Sequence, residues 1–230
     1  MTILPGCLQQ IMGALEQALQ DEALCRATGV RQLVLTFYSP QDLPLLGWLA
    51  AQPHFPKFYW QPRDGTETVA VCGQVAQFDD PAQAGQFLQH HVEGAERLRV
   101  WGLNAFEAVP QPGGAQQACL FVPRLTLHQQ ANTLTLTLNL ADPHALQGDL
   151  TRAAAFLQQL QPVAMLSPLN LTLTHACHQP DEAGWEAMLR RALAEIADGL
   201  MEKVVLARKT VLTFSQPVDA WRMLAASRQV

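Results

Sequence analysis

The sequence predicts an α+β fold built on antiparallel sheets. Segments that alternate apolar and polar residues occur as neighbouring pairs, and amphipathic segments of helical period lie between the pairs. A parallel sheet would instead place a helix between every two strands. With 230 residues, of which 49% are hydrophobic and 15% charged, the chain can bury one large core or two small ones.

The first elements are a helix and a buried strand. Apolar residues at helical spacing predict a helix from Leu8 to Leu24, and Gly29 would end it. Residues that favour β-structure predict a strand from Gln32 to Tyr38. A short helix from Leu45 to Gln52 follows a proline-marked loop.

A hairpin and a capped helix come next. The segments Phe58–Gln61 and Thr68–Cys72 flank the turn signal Arg63-Asp64-Gly65, which predicts a β-hairpin. Asp80 is placed to cap a helix from Ala82 to His91, with a proline at its first position. A further strand is predicted from Leu98 to Leu103.

The clearest strand pair lies in the middle of the chain. The segments Cys119–Leu127 and Asn132–Leu140 flank a turn predicted at 128–131, and the second segment alternates Leu with Thr or Asn. Such alternation predicts one buried sheet face. Pro123 predicts a sheet edge or an interruption. A helix from Pro143 to Leu160, capped by Asp142, and a strand at 169–174 follow in the sequence.

The last third begins with a helix that Asp181 caps and Gly199 ends. Two strands are predicted after it, Met201–Arg208 and Val211–Phe214, and a final helix begins near Pro217. That helical pattern is still running at the last residue, so we expect the chain to be truncated. We divide it into an N-terminal α+β region, 1–175, and the start of a second region, 176–230.

Composition excludes several classes of function. The formal net charge is −5 and no basic run occurs, so a nucleic-acid partner is not expected. No stretch approaches 18 consecutive apolar residues, so we expect no membrane span. No secretory signal is visible, and the five cysteines form no CxxC pair. This pattern predicts reduced thiols and a cytoplasmic protein.

The metal-ligand types are sparse. His175 and His178 stand three residues apart with Cys177 between them, a spacing that could hold a metal on a helix. The segment follows a predicted strand and precedes Pro180, so we expect solvated loop histidines and no metal site.

Lys203 is the candidate catalytic residue. It lies in the otherwise apolar segment Met201–Arg208, where burial would disfavour the charged ammonium and lower the pKa of the amine. A lysine perturbed in this way can act as a general base near neutral pH. The alternative is that Lys203 merely opens the strand at a solvated end.

Several segments resemble a known family. The segment Glu202–Arg208, together with the helix that precedes it, resembles the opening of the chorismate-binding region of chorismate-utilising enzymes. The upstream segments Phe58–Gln61, Trp101–Phe106 and Val122–Leu125 look like those of the menaquinone-specific isochorismate synthases. The resemblance covers most of the chain.

The resemblance implies a fold and a reaction. The fold would be part of a four-layer α/β/β/α arrangement with two packed antiparallel sheets. The reaction would convert chorismate to isochorismate with Mg²⁺, by adding water at ring C2 while the C4 hydroxyl leaves. In similar enzymes the lysine of this strand, here Lys203, is the base. Relatives that use ammonia tend to carry glutamine at this place, so lysine favours water as the nucleophile.

The resemblance also implies that this chain is incomplete. Family members are about twice as long, and their general acid and Mg²⁺ ligands lie beyond the region matched here. We therefore expect the 230-residue chain to be inactive alone. We also expect it to expose apolar sheet surface that favours self-association. Two alternatives stay open, namely a salicylate- or anthranilate-type chorismate enzyme and a non-catalytic α+β binding module.

Overall fold

The computed structural model describes residues 3–91, 95, 97–104 and 118–227. The chain divides into two compact units, Met1–Met165 and Leu166–Val230. The sequence analysis divided the chain differently, into regions 1–175 and 176–230, at the predicted start of a chorismate-binding region. That division stays a prediction. Residues 105 and 106 of the Trp101–Phe106 segment lie outside the described residues.

Unit 1 contains five helices and six strands among its described residues. The helices are α1 Leu4–Gln20, α2 Glu22–Arg26, α3 Leu45–Ala51, α4 Pro81–His90 and α5 Leu146–Gln158. The strands are β1 Gly29–Tyr38, β2 Lys57–Trp60, β3 Glu67–Phe78, β4 Trp101–Asn104, β5 Ala118–Gln130 and β6 Thr133–Asp142. The strands form one sheet in the order β1-β6-β5-β3-β2, and β4 also pairs with β5. Every pairing in the sheet is antiparallel, which confirms the predicted α+β class.

The core of unit 1 lies under the leucine face of β6. Leu134, Leu136, Leu138 and Leu140 are fully buried, as the alternation predicted. The buried stripes of α1 and α5 pack against each other and against this strand. The other face of β6, with Thr135, Thr137 and Asn139, is buried as well, so the prediction that only one face of the sheet is buried is wrong.

The sheet opens where Pro123 stands. β5 pairs with β6 only from Leu125 to Gln130, although it continues to pair with β3 and β4 beyond that point. Proline has no N–H to donate to a neighbouring strand. Side chains fill the gap, since Asn139 Nδ2 donates to the Pro123 carbonyl at 2.7 Å and Arg124 Nη1 donates to the Asn139 carbonyl at 2.9 Å.

Aspartate side chains cap the N-termini of α4 and α6. The Asp80 carboxylate accepts from the Ala82 N–H, and the Asp181 carboxylate accepts from the Gly184 N–H, so both predicted caps are confirmed. The predicted cap at Asp142 is wrong. Its carboxylate accepts from the N–H groups of residues 144 and 145 and closes a turn, and α5 begins only at Leu146.

The turn between β5 and β6 is shorter than predicted. β5 runs through His128 to Gln130, and the chain turns at Ala131, which has a φ of +49°. The pairing of β5 with β6 continues as far as Gln130 and Thr133. Only residues 131 and 132 therefore remain to reverse the chain.

Unit 2 is a helix with a two-stranded ribbon and a short second helix. Its elements are β7 Leu173–Gln179, α6 Glu182–Ala197, β8 Lys209–Phe214 and α7 Ala220–Ser227. β7 and β8 pair antiparallel. Gly199, with a φ of +75°, ends α6 as predicted.

Candidate functional site

Lys203 lies in a segment without regular secondary structure. Residues 201–208 form no strand, so the strand predicted there is wrong, and β8 begins only at Lys209. The ribbon explains why. Gln179 pairs with Lys209, so an extended ladder would pair residue 208 with Pro180, which has no N–H. The chain then turns into α6 at Asp181, and no further partner strand exists among the described residues of this unit.

The surroundings of Lys203 are open. The side chain is exposed, and it makes no hydrogen bond or ion pair with the residues that the structure describes. Its neighbour Val205 is 82% exposed although it is apolar. The burial that would perturb a catalytic amine is therefore not supplied by residues 166–227 of this unit.

Unit 2 leaves much apolar surface uncovered. Within α6 only Ala192 is buried, and the large apolar side chains of this helix are partly or largely exposed. The exposed apolar side chains of the unit include Met188, Leu189, Leu193, Ile196, Leu200, Val211 and Leu212. A surface of this kind typically belongs to an interface.

The histidine segment lies on the two-stranded ribbon of unit 2. His175 and Cys177 lie in β7 and not in a loop, so the loop predicted there is wrong. In a strand, His178 points to the opposite face from these two residues, and its Nδ1 lies 3.0 Å from Thr210 Oγ1. No group of three or more His, Cys, Asp or Glu side chains that could hold a metal ion occurs among the described residues.

Unit 1 holds a buried ion pair that the sequence analysis missed. Arg124 donates to both carboxylate oxygens of Asp149, at 2.6 and 2.7 Å, and both side chains are almost fully buried. Burial alone would raise the pKa of Asp149. The bonds from Arg124, the Ala141 N–H and Arg152 together outweigh that effect and hold the pKa below its ordinary value.

A signal for this pair was present in the sequence. Asp149 lies on the apolar stripe of α5, among Leu146, Leu150 and Ala153, and Arg124 interrupts an apolar strand. Charges on two faces that are both expected to be buried indicate a buried pair. The pair joins α5 to the point where the sheet opens at Pro123.

A polar cavity of about 330 Å³ lies against unit 1. Its lining includes Arg97, Arg99, Trp101, His128 and Thr137. His128 Nε2 lies 2.6 Å from Glu67 Oε2, whereas neither arginine has a carboxylate partner among the described residues. Two guanidinium groups without a carboxylate partner in the described part of the chain, beside an aromatic ring and threonine hydroxyls, suit a small anion.

The thiol of Cys72 is fully buried. Desolvation raises the pKa of Cys72 to about 12, against the opposing effect of Lys57 nearby. Desolvation also lowers the pKa of Lys57. Both residues belong to the hairpin of β2 and β3, where they pair with each other.

Comparison with known proteins assigns the family. The family model described as chorismate binding enzyme matches residues 17–230, so this chain belongs to that family. In particular, it is similar to the isochorismate synthase MenF of Escherichia coli (strain K12), with 38% identity over 225 residues. That match covers 97% of this chain and 50% of the relative.

Two further comparisons agree. The isochorismate synthase MenF of Pasteurella multocida (strain Pm70) is 30% identical over 185 residues, which cover 80% of this chain and 40% of that protein. The solved structure of the Escherichia coli protein, described as the menaquinone-specific isochorismate synthase, has a TM-score of 0.82 and 37% identity. It is matched over 96% of this chain and 50% of its own. The chain thus spans about half the length of the curated relatives it matches.

Among the described helices, none has the length and apolarity that a membrane crossing requires.

Proposed function

We propose that this chain is one half of an isochorismate synthase that acts in menaquinone biosynthesis. The observation that carries the proposal is the 38% identity to a protein of that name over 97% of the chain. The reaction would convert chorismate to isochorismate. Water adds at ring C2 and gives up a proton, and the C4 hydroxyl takes a proton and leaves as water, so that atoms and charge balance.

The proposal assigns the base to Lys203. A neutral amine at this position would take the proton of the attacking water. In the described residues Lys203 is exposed. The role therefore requires that the other half of the enzyme cover residues 201–208 and supply the general acid. For the same reason we propose that the 230-residue chain alone does not turn over chorismate.

The proposal also includes Mg²⁺, which polarises substrate carboxylates in such enzymes when it is bound. The described residues do not fit a magnesium site, since they include no cluster of three potential ligands. We therefore assign no step to the metal within this chain. Its ligands would come from the other half of the enzyme.

The Lys203 assignment is tested in a protein that joins this chain to the C-terminal half of the Escherichia coli relative. The joined protein should form isochorismate, and Lys203→Ala should lower kcat by at least a hundredfold. Lys209→Ala is the matched control, because Lys209 is also exposed and lies only six residues away. Near-normal turnover by the Lys203→Ala variant would contradict the assignment.

Product analysis separates the alternatives. If the joined protein forms salicylate or anthranilate, the assignment changes from isochorismate synthase to another chorismate-utilising enzyme. The polar cavity with Arg97 and Arg99 favours the binding-module alternative, in which unit 1 holds a small anion. That alternative leads if the joined protein folds, binds anions through these arginines and leaves chorismate unchanged.

The proposal also covers the association of two copies of the chain and the cellular compartment of the protein. The exposed apolar side chains of α6 and β8 would bring two copies together, and sedimentation of the 230-residue chain over a range of concentrations tests this. All five cysteines are free thiols, which supports a reducing compartment such as the cytoplasm.

A further inference from the structure

The polar cavity of about 330 Å³ has a floor that the central strands of unit 1 provide. Thr126 and His128 of β5 pair directly with Thr137 and Thr135 of β6, and all four residues line the cavity. Directly paired residues point to the same face of a sheet. Both strands also have a neighbour on either side, so only side chains can reach the cavity from them. The side chains of these four residues therefore form the floor.

The floor holds hydroxyl groups that can still bond to a ligand. Thr135 and Thr137 are buried, and neither hydroxyl makes a hydrogen bond with another described residue. Trp48 Nε1 is the only side-chain N or O atom in the described structure that is both sealed from solvent and without a partner. The two threonine hydroxyls are therefore not sealed, and they open onto the cavity that they line. Each can donate to an acceptor oxygen.

The rim of the cavity, Arg97 and Arg99, is positively charged. Both arginines are exposed, and the described residues of the lining include no acidic side chain. The Arg97 N–H donates to Gln32 Oε1 at 3.0 Å, and Gln32 Nε2 donates to Asn139 Oδ1 at 2.7 Å, so this part of the rim is tied to the sheet. A guanidinium group binds a carboxylate with two parallel hydrogen bonds. The rim therefore favours a ligand with one carboxylate for each arginine.

One side of the cavity is aromatic. The ring of Trp101, which lines it, lies 5.6 Å from the ring of Phe58 and 6.4 Å from that of Trp60. Phe58 and Trp101 pack against a buried cluster that includes Val69. Val69 pairs with His128, so the aromatic rings and the floor share one face of the sheet. An aromatic side wall favours a ligand that contains a ring.

Size adds a further condition. The cavity has about twice the roughly 150 Å³ that hold a benzene molecule, and it reaches the roughly 300 Å³ at which ligand pockets begin. A bare phosphate or sulfate ion would leave most of it empty. We infer that this cavity binds a dicarboxylate with a single ring, whose carboxylates accept from Arg97, Arg99 and the floor hydroxyls. The residues named here all belong to unit 1 and Lys203 to unit 2, so the inference does not rest on the proposed function.

Calorimetric titration of the 230-residue chain with three probes tests the inference. Isophthalate carries a ring and two carboxylates, benzoate carries a ring and one carboxylate, and inorganic phosphate has no ring. We expect isophthalate to bind at least about fivefold more tightly than either of the others, because its second carboxylate adds charge-assisted hydrogen bonds. The chain has a formal net charge of −5, so a general attraction for anions would not produce this order.

Three variants and a matched control locate the site. Arg97→Met and Arg99→Met should each lower the affinity for isophthalate at least about fivefold. They should lower the affinity for benzoate less, because its single carboxylate can use the remaining arginine. Thr137→Val should weaken isophthalate binding about twofold or more, since it removes one donor of the floor. Arg63→Met should change neither affinity, because Arg63 is also an exposed arginine of unit 1 but does not line the cavity.

Each outcome supports or overturns the inference. Equal affinities for isophthalate and benzoate, phosphate binding as tight as that of isophthalate, or no binding of isophthalate at about 1 mM would overturn it. Binding that survives both arginine changes would place the probe elsewhere and overturn it as well. Circular dichroism checks that each variant folds. If one variant does not fold, the three probes on the unchanged chain and the other variants still decide.

Discussion

Replacing Asp149 by alanine is expected to be among the most destabilising single changes in unit 1. The Asp149 carboxylate accepts four hydrogen bonds, two from Arg124, one from the Ala141 N–H at 2.8 Å and one from Arg152 Nε at 3.1 Å. Asp149→Ala would leave the Arg124 guanidinium buried without a counter-charge. Breaking a buried pair on one side costs about 3–5 kcal/mol. Since a domain is stable by only about 5–15 kcal/mol, the loss would be a large fraction of the total.

Urea unfolding followed by circular dichroism measures this loss. With a slope of about 1–3 kcal/mol per molar urea, the midpoint should fall by at least about 1 M. Glu22→Ala is the control, because the Glu22–Arg26 pair lies on the surface with both side chains more than 80% exposed. It should cost less than about 1 kcal/mol. A loss below about 1 kcal/mol in Asp149→Ala would refute the reasoning from burial. The double change Arg124→Met with Asp149→Leu should recover much of the loss, since it removes both charges together.

Three other measurements probe the structure. The pKa of Asp149 is lower in the folded than in the unfolded chain, so its stabilising contribution is complete above the ordinary pKa of a carboxyl group and disappears as the pH falls through the lower folded value. Urea midpoints should therefore decline below about pH 4, and less steeply in the Arg124→Met, Asp149→Leu double variant. Gly47→Ala should cost about 1–3 kcal/mol, because a Cβ there clashes with the Ala164 carbonyl oxygen, whereas Gly13→Ala on open α1 surface should stabilise by about 0.5–1 kcal/mol; equal unfolding midpoints for the two variants would contradict this. Cys72, whose pKa burial raises to about 12, should resist iodoacetamide at pH 8 in the folded chain and react on unfolding, and prompt labelling of the native protein, read by mass spectrometry, would show that the thiol is accessible.

The sequence predicted best where local signals and burial agree. The Leu–Thr alternation of β6 predicted the strand and the burial of its leucine face, because period two is imposed by the strand itself. It did not predict that the opposite face is buried too. The caps at Asp80 and Asp181 were predictable because their carboxylates bond to N–H groups only two or three residues away. Asp142 carries the same local signal, but its bonds close a turn before the helix, and spacing alone does not distinguish the two cases.

Prediction failed where the decisive partner is distant. Residues 201–208 have a strand composition, yet a strand exists only when a neighbour pairs with it, and Pro180 ends the available neighbour. The Arg124–Asp149 pair joins residues 25 apart in the chain, and no local pattern specifies which charge will meet which. For Lys203 the residue type was the clue, while its role depends on surroundings that the described residues do not provide.

The order of strands in unit 1 has a consequence for its synthesis on the ribosome. β1 pairs with β6, so Tyr38 meets Thr133 and has to wait for about 95 further residues before its partner exists. At an elongation rate of about 5–20 residues per second, that interval lasts about 5–20 s. Throughout it, a nascent chain carries Val30–Phe37 as a β-forming segment without its pairing strand. A chaperone would therefore be needed most at this early segment. That need ends once β6, the last strand of the sheet, has been synthesised and can pair with β1.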